Sequence, residues 1–133
     1  MEVFCPPRFS KTAHLWNIQP TIAFDLTVGW DLNDPETVDF MWKCINEFKP
    51  YIIFASPNCG AFSTLSNWNV GKPGYETAHA EGLKHLELCY ELYQYQVDRG
   101  RYFCHEHPRR AKSWQEDFML RLAAREEIGR AHV

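Results

Sequence analysis

With 133 residues, the chain is long enough to bury one hydrophobic core and too short for two ordinary domains, so one domain is expected. Its formal net charge of -3 speaks against a protein held on nucleic acid mainly by a general basic field. The five cysteines are widely spaced and form no CxxC pair, which favours a reduced intracellular protein, nuclear or cytoplasmic. No apolar run approaches the roughly 20 residues that cross a bilayer, so no membrane role is expected.

The last residues are not expected to belong to the fold. Ile128-Gly-Arg-Ala-His-Val133 is the peptide that a widely used sequencing adapter encodes when it is translated in frame. We therefore predict a partial domain over residues 1–126 and an adapter-derived tail at 127–133, with a natural chain that continues beyond this point.

Apolar runs of strand length alternate with stretches of helical period. The predicted order is a strand at 2–5, helical turns at 9–16, a strand at 21–26, an extended piece at 30–32, a helix at 34–48, a strand at 51–54, a loop at 66–75, a helix at 76–99, a buried strand at 101–104 and a last helix from 113. Asp34-Pro35 has the form of a helix start, and Ser113-Trp-Gln-Glu116 that of a capping box. The alternation predicts an α/β fold with a mostly parallel sheet and flanking helices.

The most informative stretch surrounds Cys59. Four apolar residues, Tyr51 to Phe54, are followed by small residues, a proline, a cysteine and a glycine, which is typical of a buried strand that ends in a functional loop. Ligands of open α/β sheets bind at this edge, so a cysteine nucleophile there is well placed for chemistry. The simpler interpretation is that Cys59 packs as a small buried hydrophobe.

Two acidic residues, Asp25 and Asp31, follow the second predicted strand. An acid at such a strand end commonly hydrogen-bonds the ribose hydroxyls of a nucleotide-like cofactor. For each residue taken alone, an ordinary turn or cap aspartate is the commoner interpretation.

The run Cys104-His-Glu-His107 contains residue types that bind zinc. Neighbouring residues on an extended strand point to opposite faces, so they cannot all meet one ion without a sharp turn. A zinc deaminase would also need a later Pro-Cys-x-x-Cys, which the chain lacks. A zinc site that combines these residues with Cys59 therefore ranks low, and no metal is predicted. Basic residues flank the same strand and either contact phosphate or are simply solvated: Arg99, Arg101, Arg109, Arg110 and Lys112.

The segment Ser56-Pro-Asn-Cys-Gly-Ala-Phe-Ser63 resembles the nucleophile loop of the DNA cytosine-5 methyltransferases, which usually reads Gly-Pro-Pro-Cys-Gln-x-Phe-Ser. The matching positions are Pro57, Cys59, Phe62 and Ser63. The resemblance runs in order over residues 2–124 and is specific in this loop.

The resemblance implies a Rossmann-like fold of the class I methyltransferase type, DNA as the partner and S-adenosylmethionine as the methyl donor. It also implies that Cys59 is the nucleophile and that Glu106 contacts the target base. The cofactor contacts that it implies are Phe4, Asp25 for the ribose, Asp31 for the adenine, and Pro57.

The chain departs from the family at Phe4-Cys-Pro-Pro-Arg8, where the family has a glycine-rich turn that binds the methionine part of the cofactor. Asn58 and Gly60 also replace a proline and a glutamine, and the family's later arginine motif and target-recognition region are missing. Two prolines remove backbone donors and fix φ where glycines let the chain approach a cofactor. The alternative is therefore an inactive binding or scaffold module, similar to degenerate domains in retroelement polyproteins.

In the enzyme interpretation, the thiolate of Cys59 adds to C6 of a cytosine flipped out of its duplex, while Glu106 hydrogen-bonds the N3 edge. A helix that follows the loop, or nearby cations, would activate the thiol. We also predict that the Cys59 and Glu106 loops leave neighbouring parallel strands at one sheet edge, with Asp25 opening on the same edge.

Overall fold

The computed structural model describes residues 1–129, except for the side chains at positions 64, 65 and 67. Its strands are β1 (Glu2–Val3), β2 (Ala23–Phe24), β3 (Ile52–Ala55) and β4 (Tyr102–His105). They form one sheet in the order β2-β1-β3-β4, and every neighbouring pair is parallel. The predicted α/β fold, Rossmann-like in arrangement, is confirmed. Residues 130–133 of the predicted tail lie outside the described part of the chain.

Helices connect the strands. The α-helices are α1 (Phe9–Thr12), α2 (Pro35–Phe48), α3 (Tyr75–Val97) and α4 (Asp117–Ala123). Short 3-10 segments occupy Ala13–Trp16, Leu26–Val28, Gly60–Phe62, Thr64–Asn69 and Lys112–Gln115. Among the described residues, no helix is both long enough and apolar enough to span a bilayer.

The ends of α2 follow from its sequence, as predicted. The Asp34 carboxylate accepts hydrogen bonds from the backbone N–H groups of Glu36 at 3.3 Å and Thr37 at 3.1 Å, and Pro35 occupies the first helical position. The helix ends where Lys49 adopts the left-handed conformation with φ 46°, directly before Pro50. The rigid end of α2 therefore fixes the point at which β3 begins.

The strand register separates the two faces of the sheet. Val3, Phe24 and Ala55 are register partners along one level of the sheet, and His105 pairs with Ala55. Side chains of register partners in a parallel sheet lie on the same face. This face carries the buried core, to which Met41 and Ile45 of α2 and Leu86, Cys89 and Tyr93 of α3 contribute. On the opposite face, Phe9 of α1 stacks on Phe54 with 4.1 Å between ring centroids.

Gln96 joins α3 to the amino-terminal ends of two strands. Its side chain is fully buried, and its Nε2 donates to the carbonyl oxygens of Pro50 and Tyr102, each at 2.9 Å. Pro50 precedes β3 and Tyr102 opens β4, so one amide sets both strand starts against the helix. Buried backbone carbonyls require such donors. The loops that follow β3 and β4 are therefore carried by two strands whose starts are fixed by one side chain.

The predicted extended piece at 30–32 joins no strand of the sheet and leads through a turn into the start of α2. Two local predictions are wrong. Ser113 is not the cap of a helix, because its hydroxyl is bonded to His107 and the segment around it is a 3-10 turn. β4 is not fully buried: it lies at the sheet edge, and Tyr102 is 54% exposed. An apolar strand sequence does not reveal whether a further strand covers its edge.

Candidate functional site

The sheet order creates one natural binding edge. From β1 the chain passes to β2 on one side and then returns to β3 on the other side. The crevice beyond the carboxyl ends of β1 and β3 is therefore a topological switch point, where open α/β sheets bind ligands. Phe4 follows β1 at this point, and Ser56 and Pro57 follow β3.

The Cys59 loop begins directly after β3, as predicted. Cys59 is half-buried and stands at the start of the 3-10 turn Gly60–Phe62. The fully buried side chain of this turn is Phe62, which lies beneath Gly82 of α3, so a Cβ atom at position 82 would lie 3.1 Å from the Phe62 ring. The phenylalanine, rather than the cysteine, thus anchors the loop. The helical turn that directly follows Cys59 is three residues long.

Glu106 lies directly opposite the start of the Cys59 loop. Its backbone N–H donates to the carbonyl of Ala55 at 3.0 Å and extends the β3–β4 ladder by one residue. Its exposed carboxylate accepts a hydrogen bond from the Ser56 hydroxyl at 2.9 Å through Oε2. Oε1 makes no hydrogen bond among the described residues. The structure therefore brings the two predicted loops to one sheet edge and leaves one carboxylate oxygen open to a ligand.

His107 forms a second bridge between these loops. Its Nε2 lies 2.9 Å from the carbonyl oxygen of Pro57, and its Nδ1 lies 2.6 Å from the hydroxyl of Ser113. A carbonyl only accepts, so Nε2 carries the proton and Nδ1 accepts from the hydroxyl. Burial lowers the pKa of His107, which keeps the imidazole neutral and this pattern intact. His107 thereby holds the Cys59 loop through a backbone oxygen two residues before the cysteine.

His105 is half-buried and packs among aromatic side chains. Its Nδ1 lies 2.6 Å from the hydroxyl of Tyr93, and its ring packs edge-on against Trp114. Burial, and then the neighbouring His107, lower its pKa to about 3. Within residues 1–129, no group of three or more His, Cys, Asp or Glu side chains is arranged to hold a metal ion.

Glu2, which lies in the apolar run predicted as the first strand, holds the start of α1. The buried carboxylate of Glu2 accepts hydrogen bonds from the backbone N–H groups of Arg8, Phe9 and Ser10 at 2.8 to 2.9 Å, and also from the Ser10 hydroxyl. Burial alone would raise the pKa of Glu2, but the hydrogen bonds from Ser10, Phe9 and Arg8 outweigh it and lower the pKa. An acid inside a strand-like apolar run was the available signal, because a buried carboxylate needs donors nearby.

Phe4 and the two aspartates occupy the other positions implied for the cofactor. Phe4 adopts a left-handed conformation with φ 55°, which is rare for a bulky residue, and its ring packs on His85 at 4.6 Å between centroids. Asp25 follows β2 and accepts from the Thr27 backbone N–H at 2.9 Å through Oδ1. Asp31 accepts from Asn33 at 2.9 Å in the same way. In both aspartates Oδ2 makes no hydrogen bond among the described residues.

Asp31 stands on a segment that is tied to α3. Asn33, two residues later, contacts Nε2 of His85 at 2.8 Å and donates to Glu81 at 2.7 Å. Lys84 donates to the Asn33 carbonyl at 3.4 Å. These three contacts hold the Asp31 turn against α3. His85 also packs on Phe4, so it links this turn to the switch point.

The cysteines differ in their surroundings. Burial, and then the neighbouring Glu2, raise the pKa of Cys5 to about 11, and burial raises the pKa of Cys89 to about 12. Burial also raises the pKa of Cys44. These three remain neutral thiols near pH 7 and are poor nucleophiles. Cys59, half-buried, and Cys104, exposed on the outer face of β4, are the two others.

A pocket of about 420 Å³ adjoins the Cys59 loop. It lies between the 3-10 turn that begins at Gly60, the loop through Lys72, and the first turn of α3 at Tyr75. Gly60, the chain neighbour of Cys59, lines this pocket, whereas Cys59 and Glu106 themselves do not. Comparison of the chain with family models, with curated proteins and with solved structures found no match in any of the three.

The lowered pKa of His105 predicts a pH-dependent stability. Its folded-state pKa of about 3 lies below the ordinary value of 6.5, so between these values the unfolded chain binds a proton that the folded chain does not. The stabilisation is fully present above about pH 6.5 and is lost as the pH falls toward 3, at up to roughly 1.4 kcal/mol per pH unit for one proton. Urea unfolding from about pH 7 to about pH 4 measures this loss, to which His107 adds in the same direction.

His105→Phe should flatten this pH profile, because the ring remains in its aromatic surroundings without a titrating group. His14→Phe is the matched control, since His14 is exposed on the 3-10 segment after α1. Parallel profiles for the wild type and His105→Phe would show that His105 does not resist protonation in the folded protein.

Proposed function

We propose that the chain is a cytosine-5 methyltransferase-like domain that acts on DNA, with Cys59 as nucleophile and Glu106 as the residue that contacts the flipped base. The observation that supports this most is the pairing of the two loops. Ser56 and Glu106 are linked at 2.9 Å, and the Cys59 loop is linked to His107 through the Pro57 carbonyl. Loops that leave neighbouring strands at one edge can bring a thiol and a carboxylate to the same base ring.

The chemistry fits what these side chains offer. The thiolate of Cys59 adds to C6 of cytosine and opens the C5=C6 double bond, which makes C5 nucleophilic. Once C5 carries the methyl group, its proton is lost to solvent, the double bond forms again and the sulfur leaves as thiolate. Glu106 offers the open oxygen Oε1 to the polar edge of the base, while Ser56 holds the other oxygen. A base in the duplex is out of reach, so the target must be flipped out of its stack.

The residues at the cofactor end of the edge fit a nucleoside. β1 and β2 are paired and parallel, so Phe4 and Asp25 follow strands that end at the same edge. The Oδ2 atoms of Asp25 and Asp31 are available as acceptors, and aspartate oxygens commonly receive ribose hydroxyls at this position. Phe4 and Pro57 flank the switch point between them. When bound, S-adenosylmethionine would supply the methyl group.

Trapping with a mechanism-based substrate tests the nucleophile. We expect duplex oligonucleotides that carry 5-fluorocytosine to form an adduct with the protein in the presence of S-adenosylmethionine, because fluorine at C5 cannot leave as the proton does. The adduct should withstand denaturing electrophoresis, and intact-protein mass spectrometry should give the mass of one oligonucleotide plus one methyl group.

Cys59→Ala should abolish this adduct. Cys104→Ala is the matched control, because Cys104 is an exposed cysteine on the outer face of β4 and should leave the adduct unchanged. An adduct that persists in Cys59→Ala, or that is lost in Cys104→Ala, would assign the chemistry to another group. Wild-type protein that forms no adduct over a pool of sequence contexts would count against the enzyme.

A second function, binding without turnover, is favoured by the loop after β1. Pro6 and Pro7 of this loop have no donor to offer. The backbone donors that follow at the start of α1, on Arg8, Phe9 and Ser10, are already bonded to Glu2. A cofactor that needs these backbone groups would have to compete with a buried carboxylate. In that case the domain keeps its fold and uses the same edge to bind a partner, but it does not transfer a methyl group.

Calorimetric titration with S-adenosylmethionine separates the two functions. The enzyme proposal predicts binding in the micromolar range, and Asp25→Asn should weaken it about ten-fold, because a ribose hydroxyl loses a charged acceptor. This variant keeps an oxygen for the Thr27 N–H, so the local turn is preserved. Asp39→Asn, an exposed residue of α2, is the control and should bind as the wild type does. No heat of binding in the wild type would favour the scaffold.

A further inference from the structure

A basic pocket lies at the amino-terminal edge of the sheet. Its volume is about 480 Å³, and it is lined by Asn46, Lys49, Tyr95, Arg99 and Arg101. Lys49 lies between α2 and β3, whereas the two arginines lie between α3 and β4. All strands are parallel, so this edge is opposite to the edge that carries the Cys59 and Glu106 loops.

Arg101 carries donors that have no acceptor in the protein. Its Nε and Nη1 atoms are buried, and neither makes a hydrogen bond to any residue that the structure describes. A guanidinium is always charged, and burying its N–H groups without acceptors is unfavourable. Arg101 lines the pocket, so an oxyanion held there would lie beside a guanidinium with two unpartnered N–H groups.

Arg99 and Arg101 share one aromatic ring. The Arg99 guanidinium lies 3.6 Å from the centroid of the Tyr95 ring, and the Arg101 guanidinium lies 5.3 Å from it. Stacking on an aromatic face orients a guanidinium without neutralising it. The hydroxyl of Tyr95 is in turn bonded to the side chain of Asn46, which donates to the Trp42 carbonyl at 2.9 Å. The pocket wall is thus built from side chains with fixed positions.

The nearest paired carboxylate does not neutralise the pocket. Asp98 belongs to the same turn as the two arginines, but its carboxylate forms an ion pair with Arg125 at 2.8 Å. Among the described residues, the salt bridges found all involve Arg125. Lys49, Arg99 and Arg101 therefore form no ion pair with any residue that the structure describes.

A simpler interpretation is that these cations offset the negative ends of α2 and α3. Arg99 fits it, because its Nη1 donates to the Tyr95 carbonyl in the last turns of α3 at 3.4 Å. Lys49 and Arg101 donate no side-chain hydrogen bond to a helix carbonyl among the described residues. The dipole explanation leaves the buried donors of Arg101 without partners.

We propose that this pocket binds a phosphate group, carried either by a free polyphosphate or by a nucleic-acid backbone. Arginine donors match pairs of phosphate oxygens, and a lysine adds a point charge. The volume lies within the range of small-molecule sites. The proposal is independent of the proposed function, because none of these residues belongs to the Cys59 edge.

Calorimetric titration of the chain with inorganic pyrophosphate at constant ionic strength tests the pocket. We expect binding that Arg101→Gln weakens about ten-fold, a loss of the size expected for one charged hydrogen-bonding group. Arg121→Gln removes an equal charge from an exposed position of α4 and should change the affinity less than about two-fold. No binding by the wild type, or equal weakening by both variants, would overturn the proposal.

Lys49→Gly separates binding from folding. Position 49 has φ 46°, which glycine adopts without strain, so the variant should have a Tm at or above that of the wild type. It should nevertheless bind pyrophosphate more weakly by about three-fold or more, because one cation is gone. A stable variant with unchanged affinity would contradict the proposed site.

The source of the phosphate is decided by competition with a single-stranded oligothymidylate. An oligonucleotide that is displaced by pyrophosphate and weakened by Arg101→Gln identifies a nucleic-acid backbone. Pyrophosphate binding that the oligonucleotide does not compete with identifies a free polyphosphate. Both outcomes support a phosphate site, whereas the absence of pyrophosphate binding excludes it.

Discussion

The parallel pairing of β3 with β4 is the constraint on which the candidate site depends. It places Ala55 beside His105, so the next residues, Ser56 and Glu106, leave the sheet side by side. Strands in a sheet lie about 4.8 Å apart, which brings two loops within reach of one small ligand. The hydrogen bond from His107 to the Pro57 carbonyl then holds the Cys59 loop against the Glu106 loop. Gln96 fixes the same two strands at their opposite ends.

Much of the fold was predictable from sequence, because the relevant signals are local. The start of α2 at Asp34-Pro35, the apolar repeat of that helix and the short apolar run of β3 each follow from the neighbouring residues. The position of the Cys59 loop at a strand end follows from the same pattern. By contrast, the capping box at Ser113 was local in form but was overridden by a contact with His107.

The rest depended on contacts between distant parts of the chain. The acid inside the apolar run at Glu2 signals that donors must lie nearby, but the sequence does not show that they are the backbone N–H groups at the start of α1. The Ser56 to Glu106 bridge joins residues 50 positions apart and exists because β3 and β4 pair. The exposure of β4 follows from its place at the sheet edge, which strand order determines and residue pattern does not.

The two sheet edges offer different chemistry. The carboxyl edge carries a thiol and three carboxylates, which belong to Cys59, Glu106, Asp25 and Asp31. The backbone donors at the start of α1 are already bonded to Glu2. At the amino edge, cations surround a pocket beside Tyr95. The proposed reaction and the proposed phosphate contact therefore share no residues.

The central claim is that Cys59 and Glu106 act on the same base. The rate at which the 5-fluorocytosine adduct forms in Glu106→Ala tests it most directly, with Glu87→Ala on the exposed side of α3 as control. If the two side chains meet one ring, Glu106→Ala should slow the adduct at least about 100-fold, and the control should leave the rate unchanged. A Cys59 adduct that forms at the wild-type rate in Glu106→Ala would show that the two loops, although neighbours in the sheet, do not share a substrate.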